Sequence, residues 1–555
     1  MSVRFIALSG TTNVTENLYI YEYLADNKNV SDMLIVDCGV GFPDLEMLGV
    51  DLVIPDFSYI LENKDKLRAI LVSQGHEDHH GALPFLLEDI TAPIYAPKLT
   101  AAFIESKLHD YEIKKYDIRV YDPNKDSLTI GPFQVHAFRV PHSIPETLGF
   151  AIETPEGQLF HVAEHKFDPR PVGGVTFDVE RAQHFASRGV LALASDCLGS
   201  NRLGFTPSEQ EIEARIEKII REAKNTVFFT TISSNISRMQ QVINAATRTN
   251  RKVAFLGRSI DQKAQIAHEL GFLKYADNLV IGTKEAKNFP SSSLIYIVAG
   301  SYGQVGSSLF RLATGEHSLV SAEAGDVIIF SSDPGPAYSK ESIDFVVDSF
   351  MDLGLEVHYY DLGEGLYVSG HGSQEDIKKL FGIVKPKYFI PVGGTIRFMH
   401  GYKKLVKETG SDESRVFMLK AGEIVEFANG QAFKKGKIHT RQVLVDGLGI
   451  GDVGRIILKD RKEMAEHGVA VVILKLDASQ KKLTQDPEIL SRGFVFEKKR
   501  KDFLKKEAQA LRKRLERTKK LDSRVARYLT VEFLAQRFFA ETGRRPLIIP
   551  VVVEA

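Results

Sequence analysis

A histidine-rich loop holds the residues of this chain whose types and spacing best suit chemistry. Residues 70 to 82 read ILVSQGHEDHHGA, so an apolar strand runs into three imidazoles and neighbouring carboxylates within five positions. Zinc favours imidazole nitrogen and carboxylate oxygen, and a tight loop presents several such ligands together. We therefore predict a metal site, and the alternative is a solvated loop whose histidines are incidental.

The elements around this loop follow two successive patterns along the chain. Short apolar strands separated by turn residues continue to about residue 205, a pattern typical of layered sheets. A helix is predicted to begin after Thr206, with Thr206 as cap, Pro207 in the first turn and Glu209 reaching back. From there to about residue 365 strands alternate with amphipathic helices, which predicts an inserted domain of parallel βαβ units.

Composition excludes several classes of protein. The 555 residues carry 71 Lys and Arg against 72 Asp and Glu, so the net charge of −1 excludes a coat protein that is basic throughout. Cys38 and Cys197 are too few for a disulfide framework, which favours a reducing compartment. We find neither a signal-peptide pattern nor a run of eighteen apolar residues. These features predict a cytoplasmic protein without a membrane partner.

The histidine loop resembles the H-x-H-x-D-H signature of the metallo-β-lactamase fold. His76, Asp78 and His79 occupy signature positions, and Gln74 stands where the first histidine is expected. Further matching positions follow in the expected order, at Asp37, at His142 in VPHSIPETLG and at Glu164 in HVAEHKFDP.

The later motifs extend the resemblance to the end of the chain. Asp196, the segment TTISSNISR, GRS at 257–259 and SGHGS around His371 resemble the β-CASP subfamily, whose members cut nucleic acids. The tail segments VLVDGLGIGDVG, PEILSRGFVF and RRPLIIPVVVEA are similar to the C-terminal domain of ribonuclease J. The chain is thus identified as a member of the bacterial ribonuclease J family.

The resemblance implies an α/β fold. Its core is a metallo-β-lactamase αββα sandwich, interrupted by a β-CASP α/β domain and followed by a small C-terminal α/β domain. The predicted bounds are 1–205 for the first part of the metallo-β-lactamase domain, 206–365 for the β-CASP domain, 366–435 for the returning part, 436–445 for a linker and 446–555 for the C-terminal domain, which serves dimerisation or RNA binding.

The resemblance also implies the chemistry of phosphodiester hydrolysis. Family members use two zinc ions, or manganese, to activate a water for in-line attack on phosphorus. Asp78 is then expected to bind metal and orient the nucleophile, and His371 to protonate the leaving oxygen. The residues expected to bind RNA or phosphate are Ser233, Ser234, Asn235, Arg258, Tyr367, Val368, Ser369, Gly370, His371, Gly372 and Ser373.

Three positions depart from the family pattern. Gln74 offers only a neutral amide where a histidine is expected, and Gly393 replaces the last histidine ligand. Glu164 replaces a bridging aspartate, and its extra methylene displaces the carboxylate by ~1.5 Å. His80 and His165 are nearby imidazoles, but strand and helix geometry predicts that both point away from the site.

These departures reduce the predicted metal content. The candidate ligands are His76, Asp78, His79, His142 and Glu164, with Gln74 as the weakest. We predict one ion held by His76, His142 and Glu164, with Asp78 and His79 forming a second, weaker half-site.

The resemblance implies a ribonuclease J-like protein that processes and degrades RNA, preferably with a 5′-monophosphate, as exonuclease, endonuclease or both. Its activity is expected to be reduced. The main alternative is an inactive RNA-binding scaffold subunit of a ribonuclease J complex, and a second is a hydrolase of small esters or thioesters. The expected assembly is a homodimer, a homotetramer or a hetero-oligomer with an active paralogue.

A basic segment lies in the predicted C-terminal domain. Residues 497–520 contain twelve Lys or Arg and four acidic residues, a local charge of +8. Leu504, Ala508, Leu511 and Leu515 recur at helical spacing, which predicts that one stripe packs while the other faces remain cationic. Those faces are either merely solvated or contact phosphate.

Overall fold

A computed structural model describes residues 1–554 apart from 27–28, 45, 126, 333–334, 336, 448, 478, 480–481, 495–496 and 519–520. The chain divides into two compact units. The first comprises Met1–Phe42 with Val53–Val443, and the second comprises Pro43–Leu52 with Leu444–Ala555. Residues 43–52, assigned by sequence to the first domain, thus belong to the second unit.

Two mixed sheets form the layered core of the first unit. In spatial order the larger sheet contains Gln431–Lys437, Glu423–Ala428, Ser2–Ala7, Tyr19–Leu24, Asp32–Val36, Leu67–Leu71, Pro93–Ala96 and Asp117–Val120. The smaller sheet contains Tyr388–Val392, Val190–Asp196, Gly157–Val162, Leu148–Thr154, Phe133–Arg139 and Ser127–Ile130. Buried side chains from both sheets form one apolar cluster, which includes Phe5, Leu71, Phe150 and Ile390. Burial of these alternating apolar residues holds the layers together.

Helices cover this core. Those of the lactamase-like part are Ser58–Glu62, Glu77–His80, Leu83–Leu87, Lys98–Asp110, Val179–Ala186, Gln374–Val384 and Ile396–Glu408. Phe185, Phe381 and Tyr402 from three of these helices pack with the outer face of the smaller sheet. The predicted sandwich is confirmed.

The insertion is a parallel α/β domain, as predicted. In spatial order its sheet contains Lys252–Leu256, Leu294–Val298, Val227–Thr230, Val327–Phe330 and Glu356–His358, and every pairing is parallel. Its helices are Gln210–Glu222, Ile236–Thr249, Arg258–Glu269, Ser308–Ala313 and Ala337–Asp352.

The predicted cap at the start of the insertion is wrong. The helix begins at Gln210, and no side chain caps it. The Thr206 hydroxyl instead donates to the His371 carbonyl at 2.8 Å. Glu209 is buried and pairs with Lys166 and Arg238. Both residues thus make long-range contacts, which local sequence patterns do not reveal.

The buried Glu209 carboxylate predicts acid sensitivity of the first unit. Burial alone raises its pKa, but Arg238 and Lys166 outweigh burial and hold the pKa below the ordinary value of 4.5. A lowered pKa stabilises the fold above the unfolded value and loses that contribution as pH falls through the folded value. We expect the free energy of unfolding, measured in urea from pH 7 to pH 3, to fall less steeply in Glu209→Gln. Equal slopes would contradict this.

The second unit is a small α/β domain. Its helices are Arg455–His467, Glu497–Glu516 and Ser523–Thr542, and its strands are Gly449–Ile450, Val469–Asp477, Lys482–Leu483, Glu488–Arg492 and Leu547–Glu554. Two further strands, Leu52–Pro55 and Gln442–Asp446, span the residue limits of the units, so the predicted linker is partly strand.

The predicted apolar stripe of the basic helix is confirmed. Leu504, Ala508, Leu511 and Leu515 are buried in the core of the second unit. Lys519 and Lys520, which complete the predicted basic segment, lie outside the described residues. Among the described helices, none is long and apolar enough to cross a membrane.

Candidate metal and RNA-cleavage site

Two neighbouring parallel strands position the centre of the site. Asp32–Val36 pairs with Leu67–Leu71, so the residues that follow these strands meet at one sheet edge. Asp37 accepts hydrogen bonds there from the Ser73 amide at 2.7 Å and the Ser73 hydroxyl at 2.8 Å. Its second oxygen also accepts from His79 Nδ1 at 2.8 Å. Asp37 therefore orients the His79 ring so that Nε2 faces the opposite direction.

The other ring nitrogen of His79 faces two carboxylates. His79 Nε2 lies 3.2 Å from Glu164 Oε1 and 3.5 Å from Asp78 Oδ2. One ligand atom from each of these three residues lies within 4.8 Å of the others. Burial tends to lower the pKa of His79, but Asp78, Glu164 and Asp37 outweigh it and raise that pKa. The surroundings thus favour positive charge.

A divalent cation fits these three residues. Tetrahedral coordination with bonds of about 2.0–2.2 Å separates ligand atoms by about 3.4 Å, close to the two distances from His79 Nε2. Burial raises the pKa of Asp78 to about 6, because the charged carboxylate is poorly solvated there. A bound cation would stabilise that charge. The Gln74 Oε1 atom is buried without a hydrogen-bond partner among the described residues, which leaves a further oxygen available.

The Gln74 amide also restricts the site. Its Nε2 donates to Glu164 Oε2 and lies 2.9 Å from His79 Nε2. The opposite amide orientation would place two oxygens in contact, so the carboxylate determines which end faces it. The amide nitrogen therefore lies between the His79 imidazole and the Glu164 carboxylate, where it would compete with a cation for these two groups.

His76 contacts serines in the structure. Its Nδ1 is 2.5 Å from the Ser234 hydroxyl, and its Nε2 is 2.7 Å from the Ser143 hydroxyl. Both nitrogens are thereby engaged, and the His76 side chain is buried. The predicted site at His76, His142 and Glu164 stays a prediction: the His76 and His142 rings lie 5.0 Å apart between centroids. The tighter cluster of ligand atoms is that of Asp78, His79 and Glu164.

His142 links Glu164 to the loop that carries His371. Its Nε2 contacts Glu164 Oε2 at 2.9 Å, and its Nδ1 donates to the Gly370 carbonyl at 2.9 Å. A Cβ on Gly370 would approach the His142 ring to 2.5 Å. The glycine is thus required for this close packing.

His371 is held by a carboxylate at the rim of the site. Its Nδ1 lies 2.7 Å from Asp196 Oδ2, and its side chain is 16% exposed. Burial alone lowers the pKa of His371, but Asp196 and Glu164 outweigh burial and raise the pKa to about 9. The raised pKa favours the protonated ring at neutral pH, which is the form that a proton donor requires.

The backbone amides of the His371 loop already have acceptors within the protein. The amide of His371 donates to Ser369 Oγ, that of Gly372 to the His165 carbonyl, and that of Ser373 to Asp376 and Thr206. Phosphate contact from His371 and Ser373 would therefore use their side chains, and Gly372 has none to offer.

The other predicted phosphate-binding residues lie in several surroundings. Asn235 caps the helix Ile236–Thr249, and Arg258 is exposed at the start of its helix. Val368 is buried, while Ser233 and Tyr367 are half-buried. Ser234, a further predicted phosphate contact, lies against His76 of the histidine loop.

The flanking imidazoles lie away from the proposed ligand atoms. His80 Nε2 is 3.2 Å from the Gly75 carbonyl. His165 is fully buried, and its ring contacts Phe167 and Phe177. These positions agree with the orientations predicted from strand and helix geometry.

Asn17 is a site residue that sequence reasoning missed. Its Nδ2 lies 3.3 Å from both Asp78 Oδ2 and His79 Nε2, and Tyr19 donates to its side-chain oxygen at 2.8 Å. A single asparagine near the start of the chain carries no spacing signal. Only the pairing of strands brings it to a loop about sixty residues later.

Substitution of Gln74 by leucine should destabilise the first unit. Glu164 would lose a buried hydrogen-bond donor, which typically costs about 1–3 kcal/mol. We expect urea denaturation of the metal-free protein to show that loss, and added divalent cation to restore part of it. An unchanged free energy of unfolding would show that the Gln74 hydrogen bond contributes little.

Family models match most of the chain. They are the Beta-lactamase superfamily domain over residues 33–174, the Ribonuclease J beta-CASP domain over 224–350, the Zn-dependent metallo-hydrolase RNA specificity domain over 364–419 and the Ribonuclease J C-terminal domain over 456–555. The implied class is metal-dependent, in agreement with the ligand cluster.

Full-length relatives match as well. Ribonuclease J2 of Bacillus subtilis is 35% identical, and the alignment covers 100% of this chain and 99% of that protein. Ribonuclease J 2 of Staphylococcus epidermidis is 33% identical, with coverage of 100% and 98%. A crystal structure of a protein of unknown function from Enterococcus faecalis aligns with a TM-score of 0.52 at 14% identity, covering 77% of this chain and 100% of that one. That likeness concerns the fold alone.

Proposed function

Because this chain belongs to the ribonuclease J family and is an RNA-processing and decay protein of that kind, we propose that it hydrolyses RNA slowly with a single divalent cation. Asp78, His79 and Glu164 would hold this ion. The observation that carries the proposal is the convergence of their ligand atoms within 4.8 Å. At the positions where the family supplies further histidines, Gln74 and Gly393 provide no imidazole.

Zinc is the proposed ion, because one imidazole and two carboxylates suit it, and manganese is a workable substitute. A bound divalent cation would supply positive charge beside the scissile phosphate and lower the pKa of the attacking water. Asp37 would hold His79 in the ligand tautomer through Nδ1.

His371 would donate a proton to the leaving oxygen. Asp196 would position the His371 ring through Nδ1, which leaves Nε2 to donate the proton, and the raised pKa of His371 favours the charged ring. The proposed substrate is RNA with a 5′-monophosphate, cut from that end or internally. Ser234 and the side chains of the His371 loop are the proposed phosphate contacts.

A scaffold role is the second candidate function. The observation that favours it is the Gln74 amide, which donates to Glu164 and lies against His79. A site held by internal hydrogen bonds persists without metal. In this role the chain would bind RNA within an oligomer that contains an active paralogue, in the reducing cytoplasm that its free cysteines suit.

Decay of a 5′-monophosphorylated RNA by purified protein with zinc or manganese separates the two candidates. The control is the double variant His76→Ala/His79→Ala. Slow decay in the wild type that the control lacks supports the ribonuclease. RNA binding without decay above the control supports the scaffold.

A further inference from the structure

Three buried charges, Lys166, Glu209 and Arg238, pair where the insertion joins the lactamase-like part, beside a fourth, Asp168, whose Oδ2 lies 3.8 Å from Lys166 Nζ. Glu209 Oε1 accepts from Lys166 Nζ at 2.9 Å, and Glu209 Oε2 accepts from Arg238 Nη2 at 2.7 Å. The three side chains are at most 2% exposed. We call Lys166, Glu209 and Arg238 the junction triad. It joins a residue two positions after Glu164 to the first helices of the insertion.

The two cations also bind the backbone of the returning chain. Lys166 Nζ donates to the Ser369 carbonyl at 3.2 Å, and Arg238 Nη1 donates to the Leu366 carbonyl at 3.1 Å. These carbonyls bracket the segment 366–369, which leads directly into His371. The triad therefore anchors this segment from two sides, through directional hydrogen bonds.

Stability alone is a poor explanation for such a triad. Taking charges out of water is costly, and apolar residues of similar volume often stabilise a protein as well or better. In some proteins, however, a buried network of ion pairs and hydrogen bonds holds the chain in one geometry among compact alternatives. The geometry selected here is that of the segment before His371.

We propose that the junction triad is a positioning device that sets the 366–371 segment, and with it His371, against Asp196 and Glu164. The triad acts through the backbone of that segment, and its members do not contact the reacting atoms. This proposal deepens the proposed function, on which its catalytic consequence rests. The claim about the position of the 366–371 segment holds whether or not the protein degrades RNA.

Hydrogen–deuterium exchange of the full-length protein provides the test. Glu209→Gln keeps the side-chain size but removes the one carboxylate that pairs with both cations, while Asp168 still lies 3.8 Å from Lys166. We expect peptides covering 366–373 to exchange at least about tenfold faster than in the wild type, as expected when a restraint on local opening is lost. Residual RNA decay should fall through kcat, with KM changed less.

Glu507→Gln is the matched control. Glu507 is a buried glutamate that pairs with Arg537 in the second unit, so its loss should reduce stability without altering exchange at 366–373. Should Glu209→Gln fail to fold, Ser331→Ala is the milder test, because the Ser331 hydroxyl contacts both Arg238 and the Leu366 carbonyl.

The outcomes separate the two proposals. Faster exchange at 366–373 in the triad variant, but not in Glu507→Gln, supports the positioning device. If the wild type also degrades no RNA, the ribonuclease proposal alone is refuted. Wild-type exchange in a folded triad variant overturns the positioning device, as does equal acceleration by Glu507→Gln.

Discussion

Combining Gln74→His, Glu164→Asp and Gly393→His in one chain should raise RNA decay about a hundredfold or more, because misplacement of catalytic groups by about 1 Å costs on that order. Bound metal should rise from one ion per chain to two. Measuring decay of a 5′-monophosphorylated RNA beside metal content checks both expectations.

The structure gives a reason for each of the three substitutions. The Gln74 amide nitrogen occupies the space between His79 and Glu164, and an imidazole would replace a donor of hydrogen bonds by a metal ligand. The Glu164 carboxylate contacts His142 directly at 2.9 Å, and a shorter side chain would leave room between them. At Gly393 an added Cβ meets nothing closer than Asp196 Oδ1 at 3.8 Å.

Gly393 has a positive φ of 65°, so a side chain there costs about 1–2 kcal/mol of stability. Gly393→Ala is therefore the control for strain without a new ligand. A triple variant that binds two ions yet degrades RNA at the wild-type rate would contradict the view that these positions limit activity.

Replacement of His371 by glutamine should lower the residual decay rate by about 10²–10⁴-fold, the usual contribution of a general acid or base. RNA affinity should fall by less than the rate, because glutamine retains size and a hydrogen-bond donor but loses the charge of the proposed phosphate contact. His358→Gln is the matched control, since His358 also pairs with a carboxylate, Glu364 at 3.0 Å, but lies in the insertion. Equal rates in wild type and His371→Gln would remove His371 from the mechanism.

The architecture was predictable from sequence because it depends on periodic signals. Strands such as Leu67–Leu71 and Val227–Thr230 are short apolar runs bounded by polar turns, and the stripe around Leu511 has helical spacing. Neither the apolar runs nor the helical spacing depends on which distant residues become neighbours. Both can therefore be recognised in one sequence.

The detailed contacts of the site were not predictable. His76 matches a ligand motif by position, but its ring contacts Ser143 and Ser234, which lie 67 and 158 residues away along the chain. Glu209 matches a helix-start pattern, but its carboxylate forms ion pairs with Lys166 and Arg238. Side-chain direction at such positions depends on long-range partners.

The number of divalent ions bound per chain tests the central claim most directly. Native mass spectrometry of wild type, His79→Ala and His76→Ala after equilibration with zinc measures it. We predict one ion in the wild type, none in His79→Ala, and one in His76→Ala, because the His76 ring is engaged by serines. Two ions in the wild type, or loss in His76→Ala with retention in His79→Ala, would contradict the single site at Asp78, His79 and Glu164.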